Sequence, residues 1–239
     1  MFFVADSENF MVCDFNQGFG FGWTTEAVAA DHALVRYRFL AAAGLTLIEQ
    51  QAFASMHCGL VVRNGCGVAF FGDSLAGKST LSYACARAGW TFVSDDGIFL
   101  VRNSSYRYAV GDPYTLRLRA DAKPLFPELQ DRIATTRPNG KEGIEIFTRE
   151  LPIQVAPGCT IDHIVFLNRD QPGPARIRRY SRDDAQQWCQ RYATFGLPGV
   201  RQAQTQCYER LLLASIWEMS YSDLDDAVAR LERLVDSGG

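Results

Sequence analysis

The sequence predicts an α/β fold with a helical C-terminus. Three observations carry this. A short, fully apolar run, Val68–Phe71, is followed by a glycine-rich loop and a helical stretch, then by a second stretch with the character of a buried strand, Trp90–Val93. Runs of that length suit strands buried on both faces of a sheet. Beyond residue 97, apolar and aromatic segments alternate with turn residues and suggest further strands. Toward the end of the chain, Ser181 and Ser222 each precede acids that belong in the first turn of a helix.

The elements follow in order. Phe2–Ala5 and Phe10–Phe15 have the character of short strands, and Gly18-Phe19-Gly20-Phe21-Gly22 that of a glycine-aromatic turn. Glu26–Leu40 reads as a helix with a weak pattern, and Leu45–Ile48 and Gly59–Val62 read as strands. Ser79–Ala88 forms a helix with Leu81, Ala84, Cys85 and Ala88 on one face, stopped by Gly89. With the runs on either side it makes a βαβ unit. Candidate strands follow at Ile98–Arg102, Tyr106–Val110, Thr115–Arg119, Gly143–Phe147, Thr160–Asn168 and Ala175–Tyr180. Residues 120–142 carry Pro124, Pro127 and Pro138 and read as a long mobile segment. Three helices are expected to close the chain: one from Ser181, one over Gln202–Met219 and one from Ser222. The whole reads as one domain, 1–239, with a β-rich portion 1–55, a loop-bearing core 56–180 and C-terminal helices 181–239.

Composition narrows the function. Hydrophobic residues are 47% and charged residues 21%, a balance that excludes disorder for the bulk of the chain. A net charge of −3 argues against a nucleic-acid partner. The seven cysteines are scattered with no C-x-x-C pair, so they are expected to be small buried hydrophobes in a reducing compartment. The N-terminus lacks the basic and long apolar regions of a signal peptide, and no apolar run is long enough to span a bilayer. A cytoplasmic location without a membrane partner is expected. Only Lys78, Lys123 and Lys141 are lysines, which makes each of them easy to interrogate.

The strongest signal is Gly72-Asp73-Ser74-Leu75-Ala76-Gly77-Lys78-Ser79, a full G-x-x-x-x-G-K-[ST] phosphate loop (P-loop) continuing into Thr80. The glycines let successive backbone N–H groups turn inward on a phosphate. The helix that follows presents the positive end of its dipole. In such a loop Lys78 reaches the β- and γ-phosphates and the Ser79 hydroxyl can ligate Mg²⁺. Asp95 and Asp96 then end the second buried strand. Acids at that position serve the metal, and a pair permits a division of labour, one holding Mg²⁺ and the other taking a proton from an attacking hydroxyl.

Taken together, Met56-His57-Cys58-Gly59, Gly65-Cys66-Gly67-Val68, the loop, and Val93-Ser94-Asp95-Asp96 resemble the HPr kinase/phosphorylase family over about residues 56–97. The resemblance implies a sheet related to phosphoenolpyruvate carboxykinase, the cofactors ATP and Mg²⁺, and phosphate transfer to a serine hydroxyl. It gives Lys78 and Ser79 the nucleotide and metal roles, Asp96 the base role with Asp95 beside it, and His57 the place of the active-site histidine. Two loop positions depart from the family: Leu75 replaces a glycine and Thr80 a glutamate. The glycine-rich signature that serves phosphate removal is absent, and Tyr114–Arg119 stands at about its distance without the glutamate and glycines. The sequence therefore looks closer to divergent family members that act on a peptide serine, as in lasso-peptide precursors. Such enzymes also often assemble as homo-oligomers.

Other groups are less distinctive. Arg137 or Lys141, with Lys141 preferred, could close over the γ-phosphate, or the stretch could be a solvated turn. Arg176, Arg178 and Arg179 are expected on the wet face of an edge strand, and His32 and His163 in structural roles. Two functions remain open: an ATP-dependent kinase of a hydroxyl on a peptide, protein or small molecule, and a regulatory nucleotide-binding or ATPase module.

Overall fold

The structure, a computed structural model, describes residues 2–4, 6–136, 140, 142–168, 173–192 and 196–237. A small antiparallel sheet comes first, from β1 (Phe2–Val4), β2 (Phe10–Asp14) and β3 (Phe19–Trp23). The expected glycine-aromatic turn is thus a strand. Its alternation places Phe19, Phe21 and Trp23 outward, while Gly20 lies close to Cys13 and Leu47. The expected helix over Glu26–Leu40 is broken into α1 (Glu26–Ala30), α2 (His32–Leu34) and a π-helical stretch, Val35–Ala41. The chain continues directly into α3 (Ala42–Gln51), so the strand expected at Leu45–Ile48 is helical. A short apolar run does not distinguish the two states.

The remaining elements are β4 (Phe53–Met56), β5 (Gly59–Arg63), β6 (Cys66–Phe71), α4 (Lys78–Arg87), β7 (Thr91–Ser94), β8 (Ile98–Val101), β9 (Tyr108–Gly111), β10 (Thr115–Leu118), β11 (Thr135–Thr136), β12 (Glu142–Phe147), β13 (Gln154–Val155), β14 (Gly158–Asn168), β15 (Arg176–Arg179), α5 (Arg182–Cys189), α6 (Pro198–Leu211), β16 (Ser215–Ser220) and α7 (Leu224–Asp236). The long helix expected over Gln202–Met219 stops at Leu211. The apolar residues beyond it form β16, which pairs in parallel with β14.

The main sheet is mixed. Strands β6 and β7 point the same way, but β5 lies between them and runs antiparallel to both. The unit read as βαβ is therefore not a pair of adjacent strands. β14 runs parallel to β6 and β16, while its first residues pair antiparallel with β9, carrying the sheet on through β8 to β4. β15 lies at the edge beyond β16, with Arg176, Arg178 and Arg179 exposed, as expected.

Helices cover both faces. On one, α4 and α7 bury Val68, Phe70, Leu81, Cys85 and Leu231. On the other, α5 and α6 bury Ala69, Phe71, Ile164, Cys189 and Leu211. Phe70 and Phe71 point to opposite faces, as the two-residue period of a strand requires. The proline-rich segment after residue 120 is packed rather than loose where it is described. Its 3₁₀ turns bury Phe126 and Leu129 against Leu116 and Ile144 of the antiparallel β10–β12 pair. All seven cysteines are free thiols, five of them buried. Among the described residues, no helix is long and apolar enough to cross a membrane.

Candidate functional site

The antiparallel insertion of β5 builds the site. Gly59 at the start of β5 pairs with Phe70 near the end of β6, and Leu60 pairs with Ser94 at the end of β7. One end of the sheet thus gathers His57 and Cys58 from before β5, the glycine loop after β6, and Asp95 and Asp96 after β7.

The loop turns sharply. Gly72 has φ +146° and Gly77 φ +94°, and Leu75 is forced into the same left-handed half of backbone space at φ +75°. A side chain at Gly72 would press on Ala76 and approach the Leu167 carbonyl, so a glycine is needed there. Ala76 N–H donates to the Asp73 carbonyl and helps to close the turn. The ammonium of Lys78, a buried residue, lies inside the curl and donates to the carbonyls of Gly72 (2.8 Å) and Asp73 (3.0 Å). Burial lowers its pKa, and the nearby Cys58, Asp96 and Asp73 oppose that shift.

Asp95 and Asp96 are adjacent but live in different environments. Asp95 is buried, at 3% exposure. Its Oδ2 accepts from the backbone N–H of Arg117 at 3.2 Å, and the Ser79 hydroxyl donates to its main-chain carbonyl at 3.3 Å. Burial, with the charge of Asp96 added, pushes the Asp95 carboxyl up to about 7, against the pull of Ser79 and Arg117. The side chain of Asp96 is about half exposed and lies between His57 and Arg117. His57 Nδ1 is 3.3 Å from one of its oxygens and Arg117 Nη1 3.9 Å from the other.

The sequence offers Arg117 only as part of the strand expected at Thr115–Arg119 and of the stretch Tyr114–Arg119 that stands in place of the missing signature. Its Nε donates to Glu145 at 3.1 Å, and Glu145 also receives Tyr37 Oη at 3.2 Å and Arg36 Nη1 at 3.5 Å. Burial resists the ionisation of Glu145, but Arg117 and these neighbours hold its carboxyl below the usual value. The network ties the π-helical stretch to the β10–β12 strand pair. Between them a cavity of about 520 Å³ opens onto Asp95 and Asp96, with Arg36, Arg38, Leu45 and Phe99 in its walls. The π geometry itself is a common mark of functional sites.

On the other side of the loop, Arg191 Nη1 contacts Asp73 Oδ1 at 3.0 Å. Tyr192 Oη donates to the His57 carbonyl at 3.2 Å. Neither residue carried a signal in the sequence. Of the groups read from the sequence, the structure brings together His57, Lys78, Ser79, Asp95 and Asp96. Thr80 lies in the first turn of α4. Arg137 and Lys141 lie outside the described residues. His163 is structural: it is buried and accepts from the Trp217 indole N–H at 3.0 Å.

No family model and no curated protein matches the chain. Among solved structures, the Hpr(Ser) kinase/phosphatase from Coxiella burnetii matches 77% of this chain and 99% of its own, with 15% identity and a TM-score of 0.36. At that level of similarity, the assignment of a function rests on this chain's own side chains.

Proposed function

We propose that this chain is an ATP-dependent kinase that transfers the γ-phosphate to a serine-type hydroxyl of a peptide or protein. The observation that carries this reading is the convergence of Lys78, Asp95, Asp96 and His57 at one end of the sheet, with a cavity beside the acids. The loop N–H groups and Lys78 would hold the phosphates, as the loop motif and the start of a helix favour.

The donor set fits Mg²⁺. Among the described residues there is no cluster of three or more His, Cys, Asp or Glu that could bind a metal alone. Mg²⁺ held with nucleotide phosphates needs only one or two protein ligands, and it prefers oxygen. Ser79 and the carboxylate of Asp95 would supply them, and a buried carboxyl with a raised pKa is one that a cation would stabilise in its charged form. When bound, the ion neutralises charge on the phosphate oxygens.

Asp96 is the base in this reading. It borders the cavity, with His57 near one of its oxygens and Arg117 near the other. The acceptor hydroxyl oxygen forms a bond to the γ-phosphorus, the bond from that phosphorus to the ADP oxygen breaks, and the hydroxyl proton passes to Asp96. The acceptor occupies the 520 Å³ cavity. A regulatory ATPase would have little use for that cavity or for a positioned second carboxylate.

Incubation with γ-labelled Mg·ATP and a pool of serine-containing peptides tests the reading. Label in an alkali-labile ester on peptide supports the kinase. Label released only as inorganic phosphate supports the ATPase module instead.

A further inference from the structure

We infer that Arg191 is the group that recognises the γ-phosphate, exchanging Asp73 for it when nucleotide enters the loop. The inference rests on the reading of Gly72–Thr80 as a nucleotide site and adds a residue that no motif in the sequence points to.

The placement is built rather than incidental. Arg191 follows the last turn of α5, where its N–H donates to the Trp188 carbonyl. The Trp188 ring packs at 4.9 Å from Phe71, the last residue of β6, and at 5.4 Å from Phe166 of β14. Tyr192 packs on Trp188 at 5.1 Å and reaches the His57 carbonyl through its hydroxyl. The base of Arg191 is therefore fixed to the strand that launches the loop and to the segment that carries His57. The guanidinium itself stays accessible, at 63% exposure, and so does its partner Asp73, at 83%.

Charge favours the exchange. An exposed arginine–carboxylate pair contributes little, because water screens it. A phosphate group offers more charge and several acceptor oxygens to the planar guanidinium fork. Asp73 also supplies the carbonyl that accepts from Lys78, so the two cations already meet on one loop residue. A phosphate lying between them would meet Lys78 from inside the curl and Arg191 from outside. During transfer, Arg191 would then offset the charge on the moving group, as an arginine supplied in cis does in other phosphoryl-transfer sites.

The test compares calorimetric binding of Mg·ATP and Mg·ADP to the full chain and its variants. Arg191→Ala is expected to weaken Mg·ATP by about tenfold to a hundredfold, the size of a charge-assisted hydrogen bond, and to leave Mg·ADP unchanged. Unchanged ADP affinity also shows that the variant is folded. Arg191→Lys should recover part of the loss, and Asp73→Ala, which removes the competing carboxylate, should tighten Mg·ATP. An ATP-to-ADP preference that survives in Arg191→Ala overturns the assignment, and ATP affinity that falls in Asp73→Ala overturns the exchange. If the wild-type chain binds neither nucleotide, the kinase reading falls and this inference with it.

Discussion

His57 Nδ1 lies 3.3 Å from Asp96 Oδ1, although one residue precedes β5 and the other follows β7. The antiparallel pairing of those strands brings a strand's start and its neighbour's end together. With Arg117 3.9 Å from the second oxygen, Asp96 is flanked on both sides while remaining open to the cavity. A carboxylate so placed can reach a proton on an acceptor bound in the cavity.

Asp96→Asn should therefore lose about 10²- to 10⁴-fold in phosphate transfer, the usual contribution of a positioned base. Mg·ATP affinity should be retained. Paired turnover and binding measurements check both halves. Transfer at the wild-type rate would remove Asp96 from the base role and make His57 the next candidate.

Arg117→Ala acts more broadly. It leaves Glu145 without its nearest cation and frees one oxygen of Asp96. The expected cost is about 1–3 kcal/mol of stability, with a further loss of turnover. Denaturant unfolding gives the first number. If Glu145→Gln is combined with Arg117→Ala, much of the stability should return while turnover stays low, because the orphaned charge is gone but Asp96 is still loosely held.

Asp95 gives a pH signature. Its folded pKa of about 7 lies above the value of about 4 expected in the unfolded chain. Between those values the folded state keeps a proton that the unfolded state has released. Stability therefore falls as pH rises through that window. Asp95→Asn should flatten this part of the profile in a thermal-unfolding series. In the wild type, the proposed role of Asp95 as a Mg²⁺ ligand predicts that the Mg²⁺ needed for half-maximal nucleotide binding falls as pH rises through about 7, where the carboxylate forms. A Mg²⁺ requirement independent of pH over that range would separate Asp95 from the metal.

Leu75 carries strain. It is an exposed non-glycine residue at φ +75°. A left-handed conformation costs about 1–2 kcal/mol, and glycine returns some of that through its own entropy loss. Leu75→Gly should be neutral or stabilising by up to about 1 kcal/mol, read as a rise in the unfolding midpoint. A clear loss of stability would mean that the Leu75 side chain makes contacts worth more than the strain.

The parts of the fold written in local chemistry were legible in the sequence. The loop, its helix and the acids after β7 each carry a motif whose spacing is fixed by backbone geometry. What was missed depends on pairing between distant segments. Nothing local says that β5 slips between β6 and β7, or that Ser215–Ser220 leaves a helix to join the sheet. The π-helical turn at Val35–Ala41 and the Arg36–Glu145–Arg117 network are likewise products of tertiary contact. Arg191 is one of many arginines, and only the packing of Trp188 on Phe71 shows that it overhangs the loop.

The most direct test of the central claim is a calorimetric titration of Mg·ATP into the wild-type chain and into Lys78→Ala. Among the described residues, no other ammonium or guanidinium sits inside the loop to replace Lys78. The account predicts saturable one-site binding in the wild type and none in Lys78→Ala. Equal binding by both proteins would contradict it, because the phosphates would then lie somewhere other than the glycine loop.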